Sequence, residues 1–98
     1  MSARELVAIL WGVEVGRVRQ DGRGKLAFAY DAGWRGRDDA VPLSLSLPLA
    51  AADHGHAATE AFLWGLLPDN ELVLERWGRR FHVSPRNPFA LLAHVGED

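Results

Sequence analysis

Pro42-Leu43-Ser44-Leu45-Ser46-Leu47-Pro48-Leu49, followed about a dozen residues later by Phe62-Leu63-Trp64-Gly65-Leu66-Leu67-Pro68-Asp69, divides the chain into an extended half and a helical half. Strict alternation places Leu43, Leu45, Leu47 and Leu49 on one face of an extended segment and Ser44 and Ser46 on the other. Proline at both ends removes two amide donors, which predicts an edge strand or an extended crossover and not a central strand. The second stretch carries no charge from Ala61 to Leu67, and Pro68 pushes the residue before it out of helical geometry.

Upstream of the Leu/Ser run the sequence reads as β. Leu6 to Trp11 is a continuous apolar run, as expected for a strand covered on both faces. Gly12 breaks it, and Val13, Val15 and Val18 continue in a second strand whose Arg17 and Arg19 face water. Asp21-Gly22 is a tight-turn signal, after which Leu26, Phe28 and Tyr30 alternate onto one face. Asp31 to Ala40 is a polar connection whose one large aromatic, Trp34, is expected to lie over an edge of the core. Ala50 to Ala58 is small and polar and reads as a loop, whose last residues are candidates to begin the next helix.

Downstream the sequence reads as α. Thr59 to Leu67 has helical spacing, pairing Phe62 with Leu66 and Leu63 with Leu67. Asp69-Asn70-Glu71 is a capping and acidic first-turn signal for a second helix, with Leu74, Trp77 and Phe81 as its apolar seam and Glu75–Arg79 as an i, i+4 pair. Asn87-Pro88 starts a short third helix that runs to Ala93 or His94, with Gly96 placed to end it. The prediction is an α+β fold over a single domain, residues 1–98. A small antiparallel sheet of about three strands plus the extended Leu/Ser segment is packed with two to three C-terminal helices.

Ninety-eight residues with 48% hydrophobic and 24% charged side chains suit one globular core. Eleven basic and thirteen acidic residues give a net charge of −2, which offers no drive toward nucleic acid or an anionic membrane. The absence of cysteine excludes disulfides and thiolate metal sites. Met1 to Glu5 lacks a signal-peptide run, and no apolar stretch approaches the ~20 residues of a membrane span, so a cytoplasmic protein is expected.

Candidate chemistry is sparse. Gly22-Arg23-Gly24-Lys25 sets glycines beside a lysine, but a phosphate cradle needs consecutive amides leading into a helix, and this tetrapeptide reads as a turn. Asp53, His54 and His56 are too few for a closed metal site and read as solvated loop residues. Ser44 and Ser46 have no base at an activating spacing. Arg76, Arg79, Arg80 and Arg86 form a modest basic cluster, most simply a solvated helix face. No catalytic, cofactor or metal residue is assigned. The uncharged helix is different, because no face of it is plainly meant for solvent. Trp64 is of the type enriched at interface hot spots, and both a core and a partner-facing role stay open for it.

Several stretches together resemble the small N-terminal domain (subdomain 1) of HipA-like serine/threonine kinases, the toxins of bacterial toxin–antitoxin modules. They are the strand pair Val7 to Val18 with Gly12, Val15 and Gly16; Phe28, Tyr30 and Trp34; the complete Pro42 to Leu49 run; Phe62 with Leu66-Leu67-Pro68; and Pro88, Phe89, Leu92, Gly96 and Asp98. The departures are Leu63, where the family often has a second phenylalanine, and Trp64, where it is typically polar.

The resemblance implies a domain without phosphoryl-transfer residues and hence a non-catalytic regulator. As a free-standing chain it is similar to the HipS-type small antitoxin, which implies a module that docks on and restrains a HipA-like kinase in a system linked to persistence. Phe62, Trp64, Leu67, Asp69 and Asn70 are the expected partner-binding residues. A helix-turn-helix DNA-binding antitoxin is a further expected partner, joined through the complex. The chain stops at Asp98, where a full-length kinase would continue. The alternatives are therefore an N-terminal domain excised from a longer kinase and, from the arginines, a nucleic-acid-binding module. The free-standing regulator is preferred, because Trp64 suits a partner-facing helix.

Overall fold

Strands β1 (Arg4–Leu10), β2 (Val13–Gln20), β3 (Leu26–Tyr30) and β4 (Asp53–His54) form one antiparallel sheet in that spatial order. Helices α1 (Ala32–Arg35), α2 (His56–Leu66), α3 (Glu71–Phe81) and α4 (Pro88–Val95) complete the computed structural model, which describes residues 4–95. This is the expected α+β arrangement. The described residues form two compact units, the first running to Phe62 and the second starting at Leu63.

In the first unit β1 and β2 are joined by a two-residue turn at Trp11-Gly12, with φ of 53° and 77°. Positive φ at both positions is the mirror-type turn whose twist matches that of a hairpin. Ala8 pairs with Gly16 but Ile9 with Glu14, so Val15 is an extra residue in β2. This bulge explains how Val15 and Val18, three apart, are both buried while Arg17 and Arg19 stay exposed. Gly16 is required beside it: a Cβ there would lie 2.4 Å from Phe28 Cζ and 2.6 Å from the Ala29 carbonyl oxygen. Leu26, Phe28 and Tyr30 alternate inward as expected.

Two expectations need correction. Leu6–Trp11 is not covered on both faces: β1 is an edge strand, and Ile9 and Trp11 are 63% and 73% exposed. An uninterrupted apolar run does not distinguish an edge position from a central one. The Pro42–Leu49 run is also not one extended strand with four leucines on one face. It turns at Ser44, where the hydroxyl accepts from the Ser46 amide (3.1 Å) and the carbonyl from the Leu47 amide (3.0 Å). Leu47 is thereby fully buried and Leu45 is 99% exposed. Serine turns compete with extended pairing because the hydroxyl offers the backbone a local partner. The fourth strand is instead the two-residue β4, from the stretch read as a loop.

The connection from Asp31 to Ala40 contains one helical turn, α1, capped by the Asp31 carboxylate on the Trp34 amide (3.2 Å). Trp34 is buried, and its Nε1 donates to the Val41 carbonyl (3.2 Å). Helix α2 starts at His56, within the loop end expected to lead into it, and the buried Thr59 hydroxyl donates to the Gly55 carbonyl (2.8 Å).

In the second unit the Asn70 carboxamide oxygen accepts from the Leu72 and Val73 amides and starts α3, as the capping signal predicts. The helix ends on His82 in the left-handed conformation (φ 59°), with the Val83 amide donating to the Gly78 carbonyl (3.0 Å). Asn87 Oδ1 accepts from the Ala90 amide (3.1 Å), with Pro88 as the first residue of α4. The Phe81 and His94 rings stack between α3 and α4, 5.1 Å between centroids. Leu63, Leu67, Phe89, Ala90 and Leu91 are buried. The predicted stop at Gly96, like the family match at Asp98, lies outside the described residues.

Candidate functional site

The corner between α2 and α3 opens a groove of about 1000 Å³. Pro68 forces the chain out of helix, and the Leu67 amide donates to the Trp64 carbonyl (3.2 Å) to close a tight last turn. Three residues on, the Asn70 cap restarts the helix. Trp64, Gly65 and Leu67 therefore line one side and Glu71, Leu74 and Glu75 another, with Pro68, Asp69 and Asn70 at the corner. Pro85 and Arg86 close the remaining side. Their loop reaches α3 because Gly78 has no side chain: a Cβ there would sit 2.8 Å from the Val83 carbonyl oxygen and 3.2 Å from Pro85.

Four of the five expected partner-binding residues, Trp64, Leu67, Asp69 and Asn70, meet in this groove. Trp64 is half-buried, Leu67 is buried, and Asp69 and Asn70 are exposed, although the Asn70 oxygen is engaged as the helix cap. Phe62 is not brought to the groove. It is buried with its ring centroid 6.1 Å from that of Phe28. The exposed face of the uncharged helix consists of Ala57, Ala61 and Gly65, with Leu66 beside them.

Sequence reasoning missed Glu71, Leu74, Glu75, Pro85 and Arg86. For the first three a signal existed, since the i, i+3 and i, i+4 spacing from the cap places them on one helix face. For Pro85 and Arg86 there was none, because their position depends on the space left by Gly78.

The groove's charges are available. Among the described residues no ion pair engages Asp69, Glu71, Glu75 or Arg86, and the expected Glu75–Arg79 pair is not formed. The other face with strong charge, the outer side of the sheet, is the opposite case. There Arg17 pairs with Glu14 (3.1 Å) and Glu5 (3.2 Å), and Arg19 with Glu5 (2.6 Å). The hydrogen bond that Arg17 donates to Glu14, with help from Glu5, raises its guanidinium above its ordinary value.

The remaining polar candidates hold the chain's own backbone. The Asp21 carboxylate accepts from the Lys25 (2.9 Å) and Arg23 (2.8 Å) amides, so the Gly22–Lys25 turn already encloses an anion of its own. Those two bonds, Lys25 first, hold the Asp21 carboxyl below the usual carboxylate range. His54 Nε2 donates to the Pro48 and Ala51 carbonyls (3.0 Å each), and His56 Nδ1 accepts from the Leu26 amide (2.9 Å). Both histidines, read from sequence as solvated, thus serve the sheet edge. Arg76, Arg79 and Arg80 share helix α3, and Arg86 lies apart from them in the following loop. Arg86 lines the groove, Arg79 a separate depression with His82, and Arg80 lies 5.7 Å from the Phe81 ring.

The family described as the HipA N-terminal domain matches residues 6–98. Y4mE of Sinorhizobium fredii, a protein provisionally named a kinase, is 37% identical over 98 residues, covering 100% of this chain and 23% of that protein. The chain therefore spans under a quarter of the length of that relative. Among the described residues no helix is long and apolar enough to cross a membrane.

Proposed function

The chain belongs to the HipA N-terminal domain family, and on that premise we propose that it is a non-catalytic regulatory module that docks on a HipA-like serine/threonine kinase and restrains it. The family is the N-terminal domain of these kinases and not their catalytic part. Residues 1–98 then act as one domain of a cytoplasmic toxin–antitoxin system, with any DNA-binding antitoxin joined through the kinase.

The observation that carries this reading is Trp64. It stands half-buried at an open groove whose charged side chains pair with nothing among the described residues, and large aromatics in such settings anchor interfaces. Leu67 and Leu74 supply the apolar surroundings of that anchor. The net charge of −2 and the carboxylates of the groove weigh against a nucleic-acid-binding module.

A second reading rests on the length comparison. The same domain, as part of a longer kinase of which it forms about a quarter, would use the groove within one polypeptide.

The test is a pull-down of the kinase encoded beside this chain, with autophosphorylation measured in its presence and absence. Replacing Trp64 by alanine should weaken binding by about 2 kcal/mol and release the kinase activity, with the fold intact by circular dichroism. A reading frame that runs on into catalytic motifs would establish the second reading instead.

A further inference from the structure

The groove beside Trp64 combines an apolar floor with an excess of negative charge. Among the described residues its carboxylates are Asp69, Glu71 and Glu75, and its one cation is Arg86. The N-terminus of α3 contributes roughly +0.5 of a charge at the same place, which offsets part of this excess and not all of it. Like charges gathered without counter-ions repel one another, and a cation placed among them relieves that repulsion. Arg86 pairs with none of the three carboxylates among the described residues, so the field is open to a ligand. The floor, Trp64 and Leu74, asks the same ligand for an apolar side chain.

From this we infer that the groove receives a basic segment of its protein partner, one in which arginine or lysine side chains flank an apolar residue. The apolar residue sits against Trp64 and Leu74, and the cations face Glu71, Glu75 and Asp69. That the segment belongs to a kinase rests on the function proposed above; its chemistry rests on the groove alone. Phosphate-bearing ligands meet the wrong sign of charge here.

The experiment is an NMR titration of the chain, following the Trp64 indole resonance, with two synthetic peptides. One alternates leucine with arginine and the other leucine with glutamate. The arginine peptide should shift the Trp64 signal and the glutamate peptide should not. Affinity for the arginine peptide should fall at least tenfold in Glu71→Gln/Glu75→Gln, fall with added salt, and rise in Arg86→Glu. Equal response to the two peptides, or unchanged affinity in both variants, overturns the inference. The kinase itself separates the two claims. A kinase that binds wild type and Glu71→Gln/Glu75→Gln equally overturns the basic segment and leaves docking intact. A kinase that ignores the wild-type chain, while the arginine peptide binds, overturns docking and leaves the groove's chemistry intact.

Discussion

The Pro42–Leu49 segment of the first unit and the Trp64–Arg86 groove of the second are both rich in leucine and proline, yet their polar surroundings are opposite. Around the first, side chains of β3, α1 and β4 collect the backbone carbonyls one after another. Trp34 donates to Val41, Tyr30 to Leu47, His54 to Pro48 and Ala51, and Arg35 to Leu49 (3.0 Å) and Ala50 (3.2 Å). Around the second, the carboxylates and the Arg86 guanidinium form no ion pair among the described residues. Apolar content alone does not tell a structural segment from a binding surface. What distinguishes them is whether the polar groups nearby are already satisfied.

If that distinction is right, substitutions in the first segment should act on stability. Leu47→Ala removes a fully buried side chain and should cost about 3 kcal/mol in urea unfolding. A loss below about 1 kcal/mol would mean that the segment is not anchored as described. Tyr30→Phe should cost about 2 kcal/mol, because the hydroxyl both accepts from the Leu43 amide (3.0 Å) and donates to the Leu47 carbonyl.

The same hydroxyl gives a pH test. Burial raises the Tyr30 hydroxyl above the ordinary tyrosine value, so its contribution is complete below that value and is lost as pH rises through the raised one. Wild type should therefore lose stability in alkali more steeply than Tyr30→Phe. Tyr30 is the only tyrosine, so tyrosinate absorbance reports on it alone.

In the second unit Gly78→Ala tests how the groove is built. The added methyl must displace the 83–85 loop, which should cost about 1–2 kcal/mol of stability and weaken partner binding as well. Unaltered binding would show that the loop's position does not shape the site. The smallest effect should be Leu45→Ser, within about 0.5 kcal/mol, since Leu45 is 99% exposed. The contrast with Leu47, two residues along, would measure the turn at Ser44 directly.

Much of this was legible in the sequence. Asp21-Gly22 marked its turn, Asn70 and Asn87 marked helix starts, and Leu26, Phe28 and Tyr30 marked an inward face by simple alternation. Two things were not legible. Alternation in Pro42–Leu49 implied a strand, but the Ser44 hydroxyl favoured a local turn, and only the packing showed which leucine goes inside. In the groove, Trp64 and the corner residues were visible because Pro68 and the Asn70 cap mark the corner. Pro85 and Arg86 were not, because a loop's approach to a distant glycine leaves no periodic trace.

Whether Trp64 anchors the kinase interface is decided by a calorimetric titration of the neighbouring kinase with wild-type chain and with folded Trp64→Ala. Tight wild-type binding is expected, with an affinity lower by about thirtyfold in the variant, the equivalent of about 2 kcal/mol. Equal affinity of the two would contradict it and remove the groove from the interface.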